Sequence, residues 1–280
     1  MKKIGFVDYY MSEWHANNYP AWIAEANERL GLDYQLAYAW AEEDVSPRDG
    51  VTTDEWCQKF GVTRCQTLQE LCQKSDVIVV LAPANPETHL RYAKEVLPYG
   101  KRTYIDKTFA PDLATAKEIF SIGTSYGTPF FSTSALRYAT ELDSVQNCRQ
   151  IVVSGSGSSL IEYVIHLVEM VVKKLGVGAE AVKVEQIGAQ TFMHVRYGDD
   201  RTASMLFARS MPYTAYLAAD GGKPVHAVVK SAFFVGLIEA ILRFFESGEV
   251  DFDGAETLEV MRLRDGILRA ETQPDSWVTL

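Results

Sequence analysis

The sequence has little of what membrane proteins and disulfide-stabilised proteins require. No apolar run approaches the roughly 20 residues that span a bilayer, and the N-terminus shows no apolar signal segment. The chain has 280 residues and four cysteines, none of them in a C-x-x-C pair, and a chain of this length needs no disulfide bonds. We therefore expect a cytoplasmic protein with reduced thiols and no metal site.

Clusters of basic residues are also missing. The chain has 27 Lys and Arg against 37 Asp and Glu, which gives a formal net charge of −10. A nucleic-acid-binding surface needs Lys and Arg gathered on one face, so we expect no nucleic-acid partner and no membrane partner. The apolar and charged fractions, 47% and 23%, are typical of a globular protein, and the length fits two domains.

Strands and helices alternate through the first half of the sequence. Val77–Ala82 is a continuous apolar run rich in β-branched residues, which is typical of a strand buried on both faces of a parallel sheet. Further strands are predicted over Lys3–Tyr9 and Tyr34–Trp40, with a helix over Tyr19–Leu30 between them. The alternation predicts an α/β fold, a Rossmann-like doubly wound parallel sheet over residues 1–128, with its ligand site at the carboxyl ends of the strands.

The second half has a different pattern. A long helix is predicted over Ser159–Leu175, followed by segments of period-2 alternation. Two of these segments, Thr191–Tyr197 and Ala203–Ala208, flank Gly198-Asp199-Asp200, which is typical of a hairpin turn. Residues 129–280 are therefore predicted to form an α+β domain with a mostly antiparallel, open sheet.

The glycines of a dinucleotide-binding loop are missing. A Rossmann domain normally carries G-x-G-x-x-G after its first strand, so that the backbone approaches a pyrophosphate at a helix N-terminus. Here the loop reads Asp8-Tyr9-Tyr10-Met11-Ser12-Glu13, and the only nearby glycine, Gly5, lies inside the strand. A carboxylate beside a pyrophosphate is unfavourable by about 1–4 kcal/mol. Taken alone, the segment predicts an ordinary turn from strand to helix.

An acidic group follows the second predicted strand. Glu42 lies in Ala41-Glu42-Glu43-Asp44, and an acidic residue at this place commonly binds a ribose hydroxyl. A solvated loop has the same composition, and the residues alone favour that simpler interpretation.

Two spaced motifs resemble those of the Gfo/Idh/MocA oxidoreductase family. The first runs from Pro86-Glu87-Thr88-His89 through Gly100-Lys101 to Asp106-Lys107-Thr108. It is similar in residues and spacing to the family's P-E-T-H, G-K and E-K-P, with Asp for Glu and Thr for Pro at the end. Because the second motif is independent and follows in the right order, the resemblance covers nearly the whole chain.

The second motif lies on the predicted helix Ser159–Leu175. It resembles the family's D-x-G-x-H-x-x-D followed by glycine, with both Asp positions changed to Glu and the first Gly changed to Val. The matching residues are Glu162, Val164, His166, Glu169 and Gly176.

The resemblance implies an oxidoreductase that uses NAD or NADP to transfer hydride at a carbinol carbon of a sugar, polyol or similar small molecule. It maps the catalytic groups onto Lys107, His166 and Glu162. Histidine suits removal of the hydroxyl proton, Lys⁺ stabilises the developing alkoxide, and a carboxylate one helical turn away can orient the histidine. The positions assigned to the cofactor are Asp8, Tyr10, Glu42, Pro86, His89 and Asp106.

Several alternatives remain open. Glu162, His166, Glu169 and Lys173 share one helix face, which is also the pattern of a solvated stripe. His89, at the start of a predicted helix, fits a structural cap or a packing group better than a catalytic group. Because the glycine loop is replaced, the chain could also be a silent small-molecule-binding or regulatory relative, or a cofactor-independent lyase or isomerase. The resemblance further implies a homodimer or higher homo-oligomer, formed through the open face of the second sheet.

Overall fold

Thirteen strands and eight α-helices make up the computed structural model, which describes all residues from Met1 to Leu280. The strands are β1 (Lys2–Asp8), β2 (Tyr34–Ala41), β3 (Thr63–Arg64), β4 (Val77–Val80), β5 (Thr103–Ile105), β6 (Phe130–Phe131), β7 (Gln150–Gly155), β8 (Ala179–Ile187), β9 (Gln190–Tyr197), β10 (Thr202–Ala208), β11 (Thr214–Ala218), β12 (Val225–Val228) and β13 (Trp277–Thr279). The helices are α1 (Trp14–Leu30), α2 (Thr53–Phe60), α3 (Leu68–Lys74), α4 (His89–Val96), α5 (Leu113–Tyr126), α6 (Leu160–Leu175), α7 (Phe233–Ser247) and α8 (Gly254–Glu271). No helix combines the length and the apolar character needed to cross a membrane.

The chain divides into two units. The first comprises Met1–Thr133 and Val235–Asp251, and the second comprises Ser134–Phe234 and Phe252–Leu280. The sequence predicted a single boundary between residues 128 and 129. It did not predict that Val235–Asp251, late in the chain, belongs to the first unit.

The first unit is built on a six-stranded parallel sheet in the order β3-β2-β1-β4-β5-β6. All four residues of β4 are buried, as expected for a central strand covered on both faces. The doubly wound parallel sheet predicted from the sequence is confirmed. Its carboxyl edge brings together the turn after β1 and the segments after β4 and β5.

Gly5 serves packing inside β1. A Cβ atom at this position would lie 2.3 Å from Oγ of Ser75 and 2.7 Å from Cδ2 of Leu71. Only a residue without a side chain therefore lets α3 approach the centre of β1. Gly5, the one glycine near the loop, thus allows α3 to pack against β1 and is not part of a phosphate-binding turn.

The second unit contains a seven-stranded sheet in the order β12-β11-β7-β10-β9-β8-β13. Its strands pair antiparallel except for β7 and β10, which are parallel. The predicted mostly antiparallel sheet is confirmed. Strands β9 and β10 pair around Gly198-Asp199-Asp200, as the hairpin signal indicated.

One helix start differs from the sequence prediction. Helix α1 begins at Trp14, five residues before Tyr19, because Glu13 caps it. Before α7, Val225–Val228 pairs with β11 as a short strand. Short strands and side-chain caps of this kind depend on tertiary partners that periodicity does not reveal.

Candidate functional site

A buried contact between a histidine and a carboxylate links the first turn of α1 to the carboxyl end of β5. The carboxylate of Asp106, the residue directly after β5, contacts Nδ1 of His15. Only 9% of the His15 side chain and none of the Asp106 side chain is exposed. A buried carboxylate on Nδ1 orients the ring, and an imidazole held in this way can take part in acid–base chemistry.

Three further groups of the first unit surround this pair. The Tyr104 hydroxyl donates to Oδ1 of Asp106 at 3.1 Å, and the main-chain N–H of Lys107 donates to the same oxygen at 2.8 Å. The Tyr19 ring stacks on His15 with the ring centroids 5.4 Å apart. The Asp106 carboxylate is therefore fixed in position by hydrogen bonds as well as by charge.

The pKa of Asp106 lies below its ordinary value although the group is buried. Burial by itself raises the pKa, but the positive charges of His15 and Lys107 and their hydrogen bonds outweigh it. Burial and the negative charge of Asp106 raise the pKa of Tyr19 well above its ordinary value. The cluster therefore contains a permanent carboxylate and a neutral phenol.

Lys107 supplies a cation at the same edge of the sheet. The residue is half-buried, and its Nζ lies 3.4 Å from the carbonyl oxygen of Pro83, in the loop after β4. An ammonium group at this position can stabilise negative charge that develops on a ligand oxygen.

Asp8, the last residue of β1, is a buried carboxyl group. Its Oδ1 accepts hydrogen bonds from the N–H groups of Tyr9 at 2.7 Å and Ala82 at 3.0 Å, whereas Oδ2 has no hydrogen-bond partner. Burial, and next the charge of Glu13, raise the pKa of Asp8 well above its ordinary value. The site therefore favours the protonated acid.

Glu13 caps α1 with its own side chain. Its carboxyl oxygens accept hydrogen bonds from the N–H of His15 at 2.8 Å and from the N–H of Ala16. Burial raises the pKa of Glu13, while the charge of His15 and the two N–H donors act in the opposite direction. The cap satisfies N–H groups that a helix start otherwise leaves open to a ligand.

Tyr10 and Ser12 are held by the loop that precedes α2. The Tyr10 hydroxyl accepts a hydrogen bond from Nε of Arg48 at 3.0 Å. Ser12 donates to Asp49 at 2.7 Å, and Ser46 donates to the carbonyl oxygen of Ser12 at 2.9 Å. Hydrogen bonds to the loop before α2 thus hold the turn after β1 in place.

Glu42 lies outside this cluster and is already paired. It accepts hydrogen bonds from the Tyr92 hydroxyl at 2.7 Å and from the Arg91 guanidinium. These hydrogen bonds lower the pKa of Glu42 against the effect of burial, which raises it. The acidic residue at the end of β2 thus binds α4.

His89 and Pro86 have structural surroundings. His89 is buried, with its ring nitrogens 2.7 Å from the carbonyl oxygen of Leu81 and 3.0 Å from that of Phe109. Pro86 is the first residue of a single 3-10 turn, Pro86–Thr88, which leads into α4. The geometry of His89 agrees with the packing role that the sequence left open.

In the second unit, Ser134 links His166 to Glu169. Oγ of Ser134 lies 2.6 Å from Nδ1 of His166, and its N–H donates to Oε2 of Glu169 at 3.2 Å. Glu169 is buried and also accepts a hydrogen bond from Nε of Arg137 at 2.6 Å. Glu162 is exposed and accepts a hydrogen bond from Ser158 at 3.1 Å. The predicted catalytic group thus has Lys107 in the first unit and its other two residues in the second.

Comparison with known proteins identifies the fold. No protein-family model matches the chain. The chain is 38% identical over 60 residues to the uncharacterised oxidoreductase YhhX of Escherichia coli K12, which is 21% of this chain and 17% of that protein.

Solved structures match over the whole length. A probable dehydrogenase from Thermotoga maritima has a TM-score of 0.80 at 11% identity, with 99% of this chain and 98% of that chain covered. A putative myo-inositol dehydrogenase from Sinorhizobium meliloti 1021 has a TM-score of 0.78 at 13% identity, covering 100% and 99%. The chain has the fold of the Gfo/Idh/MocA dehydrogenases.

A third structure with the Gfo/Idh/MocA dehydrogenase fold contains a dinucleotide. GenD2 from gentamicin A biosynthesis, in complex with NAD, has a TM-score of 0.78 at 13% identity and covers 100% of this chain and 97% of its own. The residues of our chain do not fit a pyrophosphate at the corresponding turn. The buried carboxyl groups of Asp8 and Glu13 replace two glycines of the loop, and Glu13 already accepts the helix N–H donors.

Sequence reasoning did not find His15 as a site residue. Its partner Asp106 lies 91 positions away, and that separation hides the pair. A usable signal was present, because Glu13 stands immediately before a helical segment and could cap it, which would place His15 in the first turn.

Proposed function

We propose that the chain is an acid–base enzyme that moves a proton on a small hydroxylated carbonyl compound, such as a sugar or sugar acid, without dinucleotide chemistry. The observation that carries the proposal is the buried His15–Asp106 pair directly before Lys107 at the carboxyl end of β5. A buried histidine–carboxylate pair next to a partly exposed ammonium group supplies a base and a cation of the kinds that enolisation uses.

The proposed reaction is an enolisation. The C–H bond next to the carbonyl breaks and its proton goes to the His15 imidazole. The C–H electron pair forms the C=C bond of the enolate, and the π pair of the carbonyl moves to the carbonyl oxygen. Asp106 stabilises the imidazolium through Nδ1, and the Lys107 ammonium stabilises the enolate oxygen. Return of the proton to the opposite face of the same carbon gives epimerisation. Return to the former carbonyl carbon, with the hydroxyl proton of the first carbon passing to the former carbonyl oxygen, gives isomerisation, so no oxidant or reductant takes part.

The test is exchange of carbon-bound hydrogen for deuterium. Purified protein is incubated in D2O with aldoses, ketoses and keto sugar acids, and loss of the C–H signal is followed by NMR. We expect exchange with at least one of these compounds and a loss of at least about 100-fold in Lys107→Ala and His15→Asn, the size of general acid–base effects. Lys223→Ala and His226→Asn, at exposed positions, are matched controls. Absence of exchange across the series, or exchange that survives both site substitutions, contradicts the proposal.

A second candidate is an NAD(P)-dependent dehydrogenase of a sugar or polyol. The fold that the chain shares with the NAD complex of GenD2 and with the putative myo-inositol dehydrogenase favours it. The residues that the resemblance assigns to its chemistry are Lys107 in the first unit and His166 and Glu162 in the second. Reduction of NAD or NADP by the protein with a polyol, or exchange that requires added dinucleotide, would support this candidate over enolisation.

A further inference from the structure

The turn between β1 and α1 stands where a doubly wound fold binds the pyrophosphate of a dinucleotide. β1 is a central strand of the order β3-β2-β1-β4-β5-β6, and α1 follows it directly. In dinucleotide-binding members of this fold class, the pyrophosphate sits on the N–H groups at the start of this helix.

Those N–H groups already have a partner in this chain. Both oxygens of the Glu13 carboxyl group take hydrogen bonds from the first turn, one from His15 at 2.8 Å and one from Ala16. Only 3% of Glu13 is exposed. A phosphate could bind here only after Glu13 left, and a buried carboxyl group that loses its hydrogen-bond donors destabilises the structure.

The rest of the turn cannot move away easily. Asp8 is bound to the N–H of Ala82, Tyr10 to Arg48, and Ser12 to both Asp49 and Ser46. The side chains at the three glycine positions, Asp8, Tyr10 and Glu13, are all buried, so they fill the volume that the glycines of a phosphate loop leave open.

The ribose position is satisfied in the same manner. Glu42 at the end of β2 would accept hydrogen bonds from a ribose, but Tyr92 and Arg91 already donate to it. Two separate recognition points of a dinucleotide are therefore occupied by the chain's own groups.

We propose that Glu13 is the permanent occupant of the anion position at α1 and that the chain binds no dinucleotide pyrophosphate there. The first turn of α1 instead positions His15. The main-chain N–H of His15 donates to Glu13, and its side chain contacts Asp106. This inference does not depend on the nature of the substrate or on the enolisation reaction.

The wild-type chain is titrated calorimetrically with NADH, NADPH and inorganic pyrophosphate, and hydrogen exchange is read at the His15 and Ala16 amides. We expect no saturable binding at millimolar ligand and no change in exchange at these amides. Saturable binding of any of the three that slows exchange at these amides overturns the proposal. Because this readout needs no substrate, it remains informative if the deuterium-exchange assay of the proposed function fails.

Removal of the occupant gives the complementary measurement. Glu13→Gly is expected to bind pyrophosphate with a Kd at least about tenfold below the lower limit that the wild-type titration sets, a difference of about 1.4 kcal/mol. Glu13→Gln removes the charge and keeps a hydrogen-bond acceptor, so its gain in pyrophosphate affinity should be smaller. It replaces the glycine variant in this test if Glu13→Gly does not fold. Glu28→Gln, at an exposed position of the same helix, is the matched control and should gain nothing. A folded Glu13→Gly without any gain contradicts the assignment.

Discussion

His15 and Asp106 lie 91 positions apart in the sequence and are in direct contact in the buried interior of the first unit. The residue that places His15 there, Glu13, is also the residue that closes the phosphate position of α1. One substitution pattern in the turn after β1 therefore has two consequences. It places a carboxyl group on the helix N–H donors, and it brings an imidazole to the carboxyl end of β5.

Asp106→Asn is expected to destabilise the protein strongly. The amide keeps the shape of the side chain but removes the negative charge from a buried pair, and breaking a buried pair from one side costs about 3–5 kcal/mol. Urea unfolding followed by tryptophan fluorescence measures the change. The control is Glu118→Gln, which breaks the exposed pair of Glu118 with Lys94 and should leave the midpoint almost unchanged. Similar midpoints for the two variants would show that the negative charge of Asp106 does not stabilise the fold.

The order of elements was predictable from the sequence because local pattern determines it. The apolar run of Val77–Ala82 predicted a buried parallel strand, and Gly198-Asp199-Asp200 predicted the hairpin between β9 and β10. Both signals are carried by neighbouring residues, and their outcome depends little on the rest of the chain.

The site was predictable only in part. Lys107 and Asp106 were assigned through a resemblance, and the missing glycines predicted a turn after β1 without a phosphate-binding loop. The His15–Asp106 and Ser134–His166 pairs were not predicted, because each joins segments far apart in sequence. Side-chain partners of this kind follow from strand order and helix placement, which a single sequence does not specify.

Asp8→Asn should change how stability depends on pH. In the unfolded chain the pKa of Asp8 is about 3.9. In the folded state its pKa lies well above this value. Between the two pKa values the native state keeps a proton that the unfolded chain has lost, so the free energy of unfolding falls as the pH rises through this window. Asparagine stays neutral, so the variant should gain stability relative to the wild type from about pH 4 upward.

Urea unfolding at a series of pH values tests this prediction. Glu28→Gln is the control, because it removes a carboxylate at an exposed position of α1 and should follow the wild-type curve. If Asp8→Asn also runs parallel to the wild type over the whole series, the Asp8 carboxyl is charged in the folded protein.

Glu169→Ala should destabilise the protein by about 3–5 kcal/mol, because Arg137 would then lose its closest counter-charge in a buried site. Glu256 also contacts Arg137 at 2.8 Å and can compensate only in part. The same urea titration gives the value. Asp220→Ala, which breaks an exposed pair with Arg149, is the matched control. If both substitutions have an equally small effect, the buried pair of Glu169 with Arg137 does not stabilise the fold.

Assembly can be tested on the outer face of the second sheet. Phe192 and Leu206 are directly opposite each other on β9 and β10, and Val152 on β7 is 46% exposed. Apolar side chains on one sheet face favour association with a second copy of the chain, as the resemblance implies. We expect light scattering to give at least a dimer at micromolar concentration and Leu206→Glu to give a monomer, with Lys223→Glu as the control in an exposed turn. A monomeric wild type would mean that this face is exposed to solvent and that its apolar residues contribute only to packing within the sheet.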